Sequence, residues 1–258
     1  MKQRRGHSGI YLLPNLFTTA SLFAAFYSIV ASLNGQYDSA VIAIFIGMIT
    51  DGLDGRIARM TNTQSAFGAE YDSLSDMVAF GVAPALLLYS WDLHQLGKVG
   101  WLVSFMYTAA VALRLARFNT QLETADKRYF QGLSCTAAAG MTAGYVGLCY
   151  QHDWSHFALT ILTACVAVFL AALMVSNVRY HSFKQIDFKG KIPFLYVLFM
   201  VILFIAIAAN PTWVRFSTFA LYALSGPLQT LWVIHKMRKK RRKILKARAE
   251  RVKPIKSS

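Results

Sequence analysis

Charge is what this sequence has least of. Lys, Arg, Asp and Glu make up 15% of its 258 residues, where a soluble domain carries about 25%. Acids are scarcer still, 12 against 27 Lys and Arg. Cysteine is also sparse. Cys135, Cys149 and Cys165 form no CxxC pair and stand in apolar stretches. That excludes a disulfide framework or a thiolate zinc site and leaves small buried hydrophobes. What abounds is apolar: 55% of residues are hydrophobic and the mean hydropathy is +0.40. Such content excludes disorder. Its arrangement in long blocks, with no internal repeat and no room for a soluble domain between them, argues against a soluble globule.

A membrane-crossing helix needs about 20 mostly apolar residues. Eight blocks qualify, near 13–33, 39–60, 66–90, 97–119, 133–150, 156–176, 192–209 and 213–235. They predict an all-α polytopic membrane protein of about eight transmembrane helices with short polar linkers. The basic start MKQRRGHSG leads into the first block without a small-residue cleavage site, so that block is expected to be retained. Basic residues near the block ends fall mostly on one side: Arg56 and Arg59, Arg114 and Arg117, Lys127 and Arg128, Arg179 to Lys191, and both termini. The other side holds Lys98 and Arg215. The basic side is therefore assigned to the cytoplasm, with both termini on it. Twelve of the 27 Lys and Arg lie between Lys236 and Lys256, with Glu250 the one acid among them. This tail, 236–258, is expected to anchor the topology or to be drawn to anionic lipid headgroups, at about 1 kcal/mol per basic residue. Nucleic acid is not expected as a partner of a polytopic membrane protein's tail.

The few acids are not scattered. Asp51, Asp54, Glu70, Asp72 and Asp76 fall within 26 residues, four of them in or beside the second and third blocks. A carboxylate at membrane depth costs at least about 2.5 kcal/mol, so a group of them needs cations, protons or waters. Hard divalent cations take oxygen ligands, and Mg²⁺ pairs carboxylates with substrate phosphates. Asp51 and Asp54 are three apart, and Asp72 and Asp76 four apart, so each pair shares one helix face. Asp76 lies about 15 Å along a helix from Ala66, which sets the group below the basic surface in a cavity open to it. Gly52, Gly55, Ala58 and Gly68 interleave with the acids and allow a ligand or helix to come close. Arg59 adds a phosphate-binding cation.

The segment Asp51-Gly-Leu-Asp54-Gly55-Arg-Ile-Ala58-Arg59, followed by Gly68, Asp72 and Asp76, fits DxxDGxxARx8GxxxDxxxD at every specified position. It resembles the signature of the CDP-alcohol phosphatidyltransferase family, whose members move a phosphatidyl-type group from a CDP-linked lipid to an alcohol and release CMP. The resemblance implies a six-helix core, here 1–176, a divalent-metal site of Mg²⁺ or Mn²⁺ with two ions, and a homodimer. Residues 177–235 would add two further helices. By position, Asp51, Asp54, Asp72 and Asp76 are implied as metal ligands, Asp76 also as general base, and Gly55, Ala58, Arg59 and Gly68 as lining the CDP pocket. Leu13-Pro-Asn15-Leu-Phe-Thr18 resembles the family's PNxxT start. Asn15 is expected either to contact the nucleotide or acceptor, or to cap a helix around Pro14.

Two further segments bear on the acceptor. Asp72-Ser-Leu-Ser-Asp76-Met-Val-Ala-Phe-Gly-Val-Ala-Pro-Ala85 and Leu113-Arg-Leu-Ala-Arg-Phe-Asn119 are similar to the serine-type members, the membrane phosphatidylserine synthases. That implies CDP-diacylglycerol and serine as substrates and a bacterial inner membrane as the location. Arg114 and Arg117 are three apart on one face, and a guanidinium suits the carboxylate of serine; Asn119 joins them as an implied acceptor contact. The two arginines also fit plain positive-inside flanking or a phosphate pocket for glycerol 3-phosphate or inositol phosphate. One stretch departs: serine-type members read close to GLPSPAAAG where this chain has Gly132-Leu-Ser-Cys-Thr-Ala-Ala-Ala-Gly140. Without its prolines the loop is expected to be less rigid. His152 and His156, four apart, have metal-ligand spacing but lie in a loop on the side away from the acids. A prenyltransferase, with aspartate-held Mg²⁺ and a diphosphate donor, lacks this spacing. A cation transporter is the non-enzymatic rival.

Overall fold

The computed structural model describes residues 12–61, 63, 65–121, 129–154, 156–181 and 210–251. Helices dominate: α1 (Leu12–Leu33), α2 (Tyr37–Thr61), α3 (Ala66–Asp76), a π-helical turn (Met77–Val82), α4 (Ala83–Trp91), a short 3-10 turn (Leu93–Leu96), α5 (Lys98–Gln121), α6 (Cys135–Gln151), α7 (Phe157–Val175) and α8 (Pro211–Arg251). A small antiparallel ribbon pairs β1 (Tyr129–Gln131), which precedes α6, with β2 (Arg179–His181), which follows α7.

The centre of the bundle is α6. It is built of Ala, Gly and a few larger residues, and every residue from Ala137 to Cys149 is buried. A helix that is apolar on all faces belongs inside. Its small residues let α8 approach closely: a Cβ at Gly140 would come within 2.6 Å of the Phe219 ring, and one at Gly144 within 3.0 Å of the Phe216 backbone. The outer helices are the reverse. On α1 and α5 large apolar side chains point away from the core, with Phe23 71% and Phe105 63% exposed. Apolar surface of that extent is unfavourable in water and satisfied by lipid.

Polar pins cross the apolar layers. Ser21 and Ser28 of α1 donate to the Gly47 and Ala40 carbonyls of α2, at 3.1 and 2.9 Å. At the far end Asp92, in a segment the sequence marks as a polar linker, is buried and accepts from Gln95 (3.0 Å), Thr160 (2.9 Å) and Thr163 (2.7 Å). Tyr145 shares the Thr163 hydroxyl at 3.0 Å. A buried carboxylate needs such donors, and here they fasten the α4–α5 junction to α7.

Among the described residues, four helical segments are long and apolar enough to cross a membrane: Pro14–Leu33, Ala66–Trp91, Lys98–Thr120 and Phe157–Val175. This is fewer than the eight expected. The blocks at 39–60, 133–150 and 213–235 are helical (α2, α6 and α8), but α2 carries the charged motif, α6 has only 17 residues and α8 continues into the basic stretch. The block at 192–209 lies outside the described residues, as do the first 11 and the last seven. Within Ala66–Trp91 the sequence suggests one unbroken span, but the helix widens into the π turn just before Pro84. Proline has no N–H to donate, and its ring crowds the carbonyl four residues back; an inserted π turn accommodates both.

The connection into α6 is closely held despite its missing prolines, contrary to the expectation of a looser loop. Gly132 N–H donates to Val178 O (2.8 Å), Leu133 N–H to Leu173 O (3.1 Å), and Ser134 caps α6 by accepting from Ala137 N–H at 3.1 Å. Gly132 has φ +77°, and a Cβ there would run into the Met174 carbonyl. Gly132→Ala is therefore expected to destabilise the fold by about 1–3 kcal/mol, read as a lower thermal unfolding midpoint in detergent. An unchanged midpoint would show that the backbone relaxes freely here.

Candidate active site

The four motif aspartates come from two consecutive helices joined by residues 62–65. Asp51 and Asp54 lie in the second half of α2 and Asp72 and Asp76 on α3. Ser65 starts α3 by accepting from Gly68 N–H at 3.0 Å. Gly68 has little room for a side chain, since a Cβ would sit 3.1 Å from Ser65 Oγ and 3.5 Å from Asn15 Oδ1. Asp76 is the last residue before the π turn. Before the π turn Asp72 and Asp76 face the acids of α2, and from it onward Phe80, Leu87 and Leu88 fill the core.

One carboxylate oxygen from each of Asp51, Asp72 and Asp76 lies within 4.8 Å of the others. Asp54 stands beside this trio. It is buried, accepts from Thr18 Oγ1 at 2.8 Å, and faces the carboxyl of Asp72, as Asp51 faces that of Asp76. Thr18 is the one hydroxyl or amide side chain, among the described residues, that donates to the four carboxylates. At a separation of 4.8 Å and an effective permittivity of about 20, two unit negative charges repel by roughly 3.5 kcal/mol. Three such pairs need cations, protons or waters to relieve them. Asp72 Oδ1 is buried with no hydrogen-bond partner. An all-oxygen donor set with an unpartnered carboxylate oxygen fits a hard divalent cation rather than zinc or copper.

The other motif residues surround this centre. Arg59 is exposed and its guanidinium lies back along α2, with Nη1 3.9 Å from where a Cβ of Gly55 would be. Ala58 is half-buried one residue before it. Asn15 is half-buried and lies within α1, which starts at Leu12, so it is not the helix cap; its side chain is beside Gly68. Two further bonds hold α1 against α3: Thr19 Oγ1 with Tyr71 OH (2.9 Å) and Ser75 Oγ to Thr18 O (3.2 Å). The PNxxT segment contains Thr18, but nothing in the sequence tells which carboxylate a threonine 36 positions away will bond.

Arg114, Arg117 and Asn119, grouped by sequence as acceptor contacts, take different partners. Arg117 Nη1 donates to Val175 O (3.0 Å) and Asn177 Oδ1 (3.4 Å), closing the end of α7. Asn119 donates to Ser73 Oγ at 3.1 Å and so ties α5 to the helix of Asp72. Arg114 points inward. Its Nη1 donates to Cys135 Sγ at 3.3 Å, and its Nε is buried without a partner. His152 stacks on Trp154 and leans on Trp213, with ring centroids 5.3 and 5.9 Å away, which makes it part of an aromatic cluster.

Residues 11–151 match the family model described as CDP-alcohol phosphatidyltransferase. A Helicobacter pylori protein named CDP-diacylglycerol–serine O-phosphatidyltransferase is 36% identical over 228 residues, covering 88% of this chain and 94% of its own length. Proteins of the same name from Bacillus subtilis (34% over 173 residues; 67% and 92% covered) and Methanocaldococcus jannaschii (33% over 193 residues; 75% and 85% covered) are also similar.

The geometry separates the four carboxylates. Asp51→Asn and Asp72→Asn are expected to abolish Mn²⁺ binding, measured by paramagnetic resonance without lipid substrate. Asp54→Asn, beside the trio, is expected to weaken it by about 10–100-fold. Complete loss in Asp54→Asn would make that residue a direct ligand.

Proposed function

The chain belongs to the CDP-alcohol phosphatidyltransferase family, and on that premise we propose that it transfers the phosphatidyl group of CDP-diacylglycerol to the hydroxyl of L-serine, giving phosphatidylserine and CMP. The observation that carries this is the trio of Asp51, Asp72 and Asp76 oxygens within 4.8 Å. The agreement of the serine-type relatives, one of them aligned over 88% of this chain, supports serine as the acceptor.

In this reading the serine hydroxyl oxygen attacks the lipid-side phosphorus, the bond from that phosphorus to the bridging pyrophosphate oxygen breaks, and CMP leaves. Asp76, at the end of α3, takes the hydroxyl proton. Asp51, Asp72 and Asp76 would hold Mg²⁺ or Mn²⁺, with Asp54 supporting a second ion. Bound there, such ions supply charge neutralisation of the pyrophosphate and of the leaving oxygen. Arg59, over Gly55, and Asn15, beside Gly68, bind the CDP moiety, and Ala58 and the two glycines leave room for it. Arg114, with a buried N–H to spare, receives the serine carboxylate. Arg117 and Asn119 fix α5 against α7 and α3 instead of touching the acceptor.

The apolar outer faces support an integral membrane protein. We extend the reading to eight spans and both termini cytoplasmic, from the apolar blocks and the basic-residue asymmetry, and to a core of 1–176 followed by two helices in 177–235, and a homodimer, from the family resemblance. The 41 residues of α8 make a rod of about 60 Å at 1.5 Å per residue, twice the ~30 Å hydrocarbon thickness. Its basic half therefore extends past the lipid core, where anionic headgroups attract it.

Purified protein given CDP-diacylglycerol, Mn²⁺ or Mg²⁺ and labelled serine should form labelled lipid and release one CMP per product. Product from glycerol 3-phosphate or inositol but not from serine would reassign the acceptor. Metal flux without lipid product would reject the enzyme. Asp76→Asn is expected to keep its helical content by circular dichroism and to lose at least about 10²-fold in kcat. Near-normal turnover would remove Asp76 as the base.

A further inference from the structure

We propose that Cys135 is a positioning residue for the acceptor: its thiol aims the Arg114 guanidinium at the incoming carboxylate without neutralising it. This rests on the assignment of Arg114 as the serine seat. Arg114 comes from α5 and Cys135 is the first residue of α6, 3% exposed. Arg114 Nη1 donates to Cys135 Sγ at 3.3 Å while its Nε, equally shut off from solvent, has no partner. The guanidinium is thus gripped at one corner and left open at another. No carboxylate among the described residues pairs with it.

The chemistry of the grip matters. A carboxylate partner would orient Arg114 but cancel its charge, leaving little attraction for a second anion. A thiol is a weak, neutral acceptor; it fixes direction and leaves the positive charge for a ligand. The thiol also stands between the right groups, within electrostatic reach of both Arg114 and Asp76. Tyr222 of α8, beyond the family-matched 11–151, is within electrostatic reach of the same guanidinium.

Cys135 is itself immobilised. The residue before it caps α6 through Ala137 N–H, and Leu133 N–H is bonded to Leu173 O of α7. This is also the position where the related pattern GLPSPAAAG reads serine. A hydroxyl is the same kind of acceptor, so Cys135→Ser is the conservative replacement and Cys135→Ala removes the grip.

The test is steady-state kinetics of the purified full chain with CDP-diacylglycerol saturating, reading KM for serine and kcat separately, alongside the thermal midpoint. Arg114→Ala is expected to raise the serine KM strongly. If it does not, the serine-seat assignment fails and this proposal with it. Given that rise, Cys135→Ala is expected to raise the serine KM by about five- to tenfold, the scale of one ordinary hydrogen bond, since the thiol is a weak acceptor. Its kcat should stay within about twofold, and Cys135→Ser should restore the original KM. A wild-type serine KM in Cys135→Ala would overturn the proposal while leaving Arg114 in place. So would an equal rise in Cys135→Ser, a shift in the KM for CDP-diacylglycerol instead, or a loss of kcat and midpoint at constant KM. Cys165→Ala, exposed and remote in sequence, serves as the thiol control.

Discussion

Mutual repulsion among carboxylates is the constraint on which the rest of this structure depends. Asp51, Asp72 and Asp76, all half-buried, converge to within 4.8 Å on two helices at one end of the apolar bundle, and Asp54 adjoins them with a threonine hydroxyl as its donor. Such a group needs cations, protons or waters to relieve it, and an all-oxygen set at this spacing fits a hard divalent cation. Among the described residues no cationic side chain pairs with them, which suits a site able to hold a divalent cation. The same charge deficit suits the chemistry, because the pyrophosphate of a CDP-linked lipid is itself anionic and has to be met by cations before another oxygen can approach it.

Three devices hold that convergence. Serine and threonine hydroxyls pin α1 to α2 and α3, so the loop between α2 and α3 is not alone in keeping the acids opposed. The π turn before Pro84 lets a single span direct its acids to α2 in one half and its large apolar residues to the core in the other. The small-residue helix α6 brings α8 close enough to share in the interior. Far from the acids, Asp92 and its three donors brace the opposite end. This second buried carboxylate shows the contrast: ordinary hydrogen-bond donors surround it, whereas the trio has none among the described side chains.

Much of this was legible in the sequence for simple reasons. Helical periods of three and four put Asp51 with Asp54 and Asp72 with Asp76, and a short linker makes their helices neighbours. Long apolar blocks located helices at seven of the eight expected places, the eighth lying outside the described residues. The number that satisfy membrane-crossing length and apolarity was less legible, because α2 spends its charge on the site and α6 is short. The two arginines on one face of α5 looked like a pair, yet side chains several bonds long take whatever partner is near: Arg117 reaches a carbonyl of α7 and Arg114 a thiol of α6.

The sequence by itself determined the helical, lipid-facing character of the chain and the identity of its acidic centre, since both rest on composition and on spacing within one helix. Only the tertiary structure decided which three carboxylates share a point, that Thr18 holds the fourth, that Asp92 is interior, and which arginine is left with an open donor. Those outcomes depend on contacts between residues tens of positions apart, where the angle and depth at which helices pack, set here by glycines and one widened turn, choose the partner.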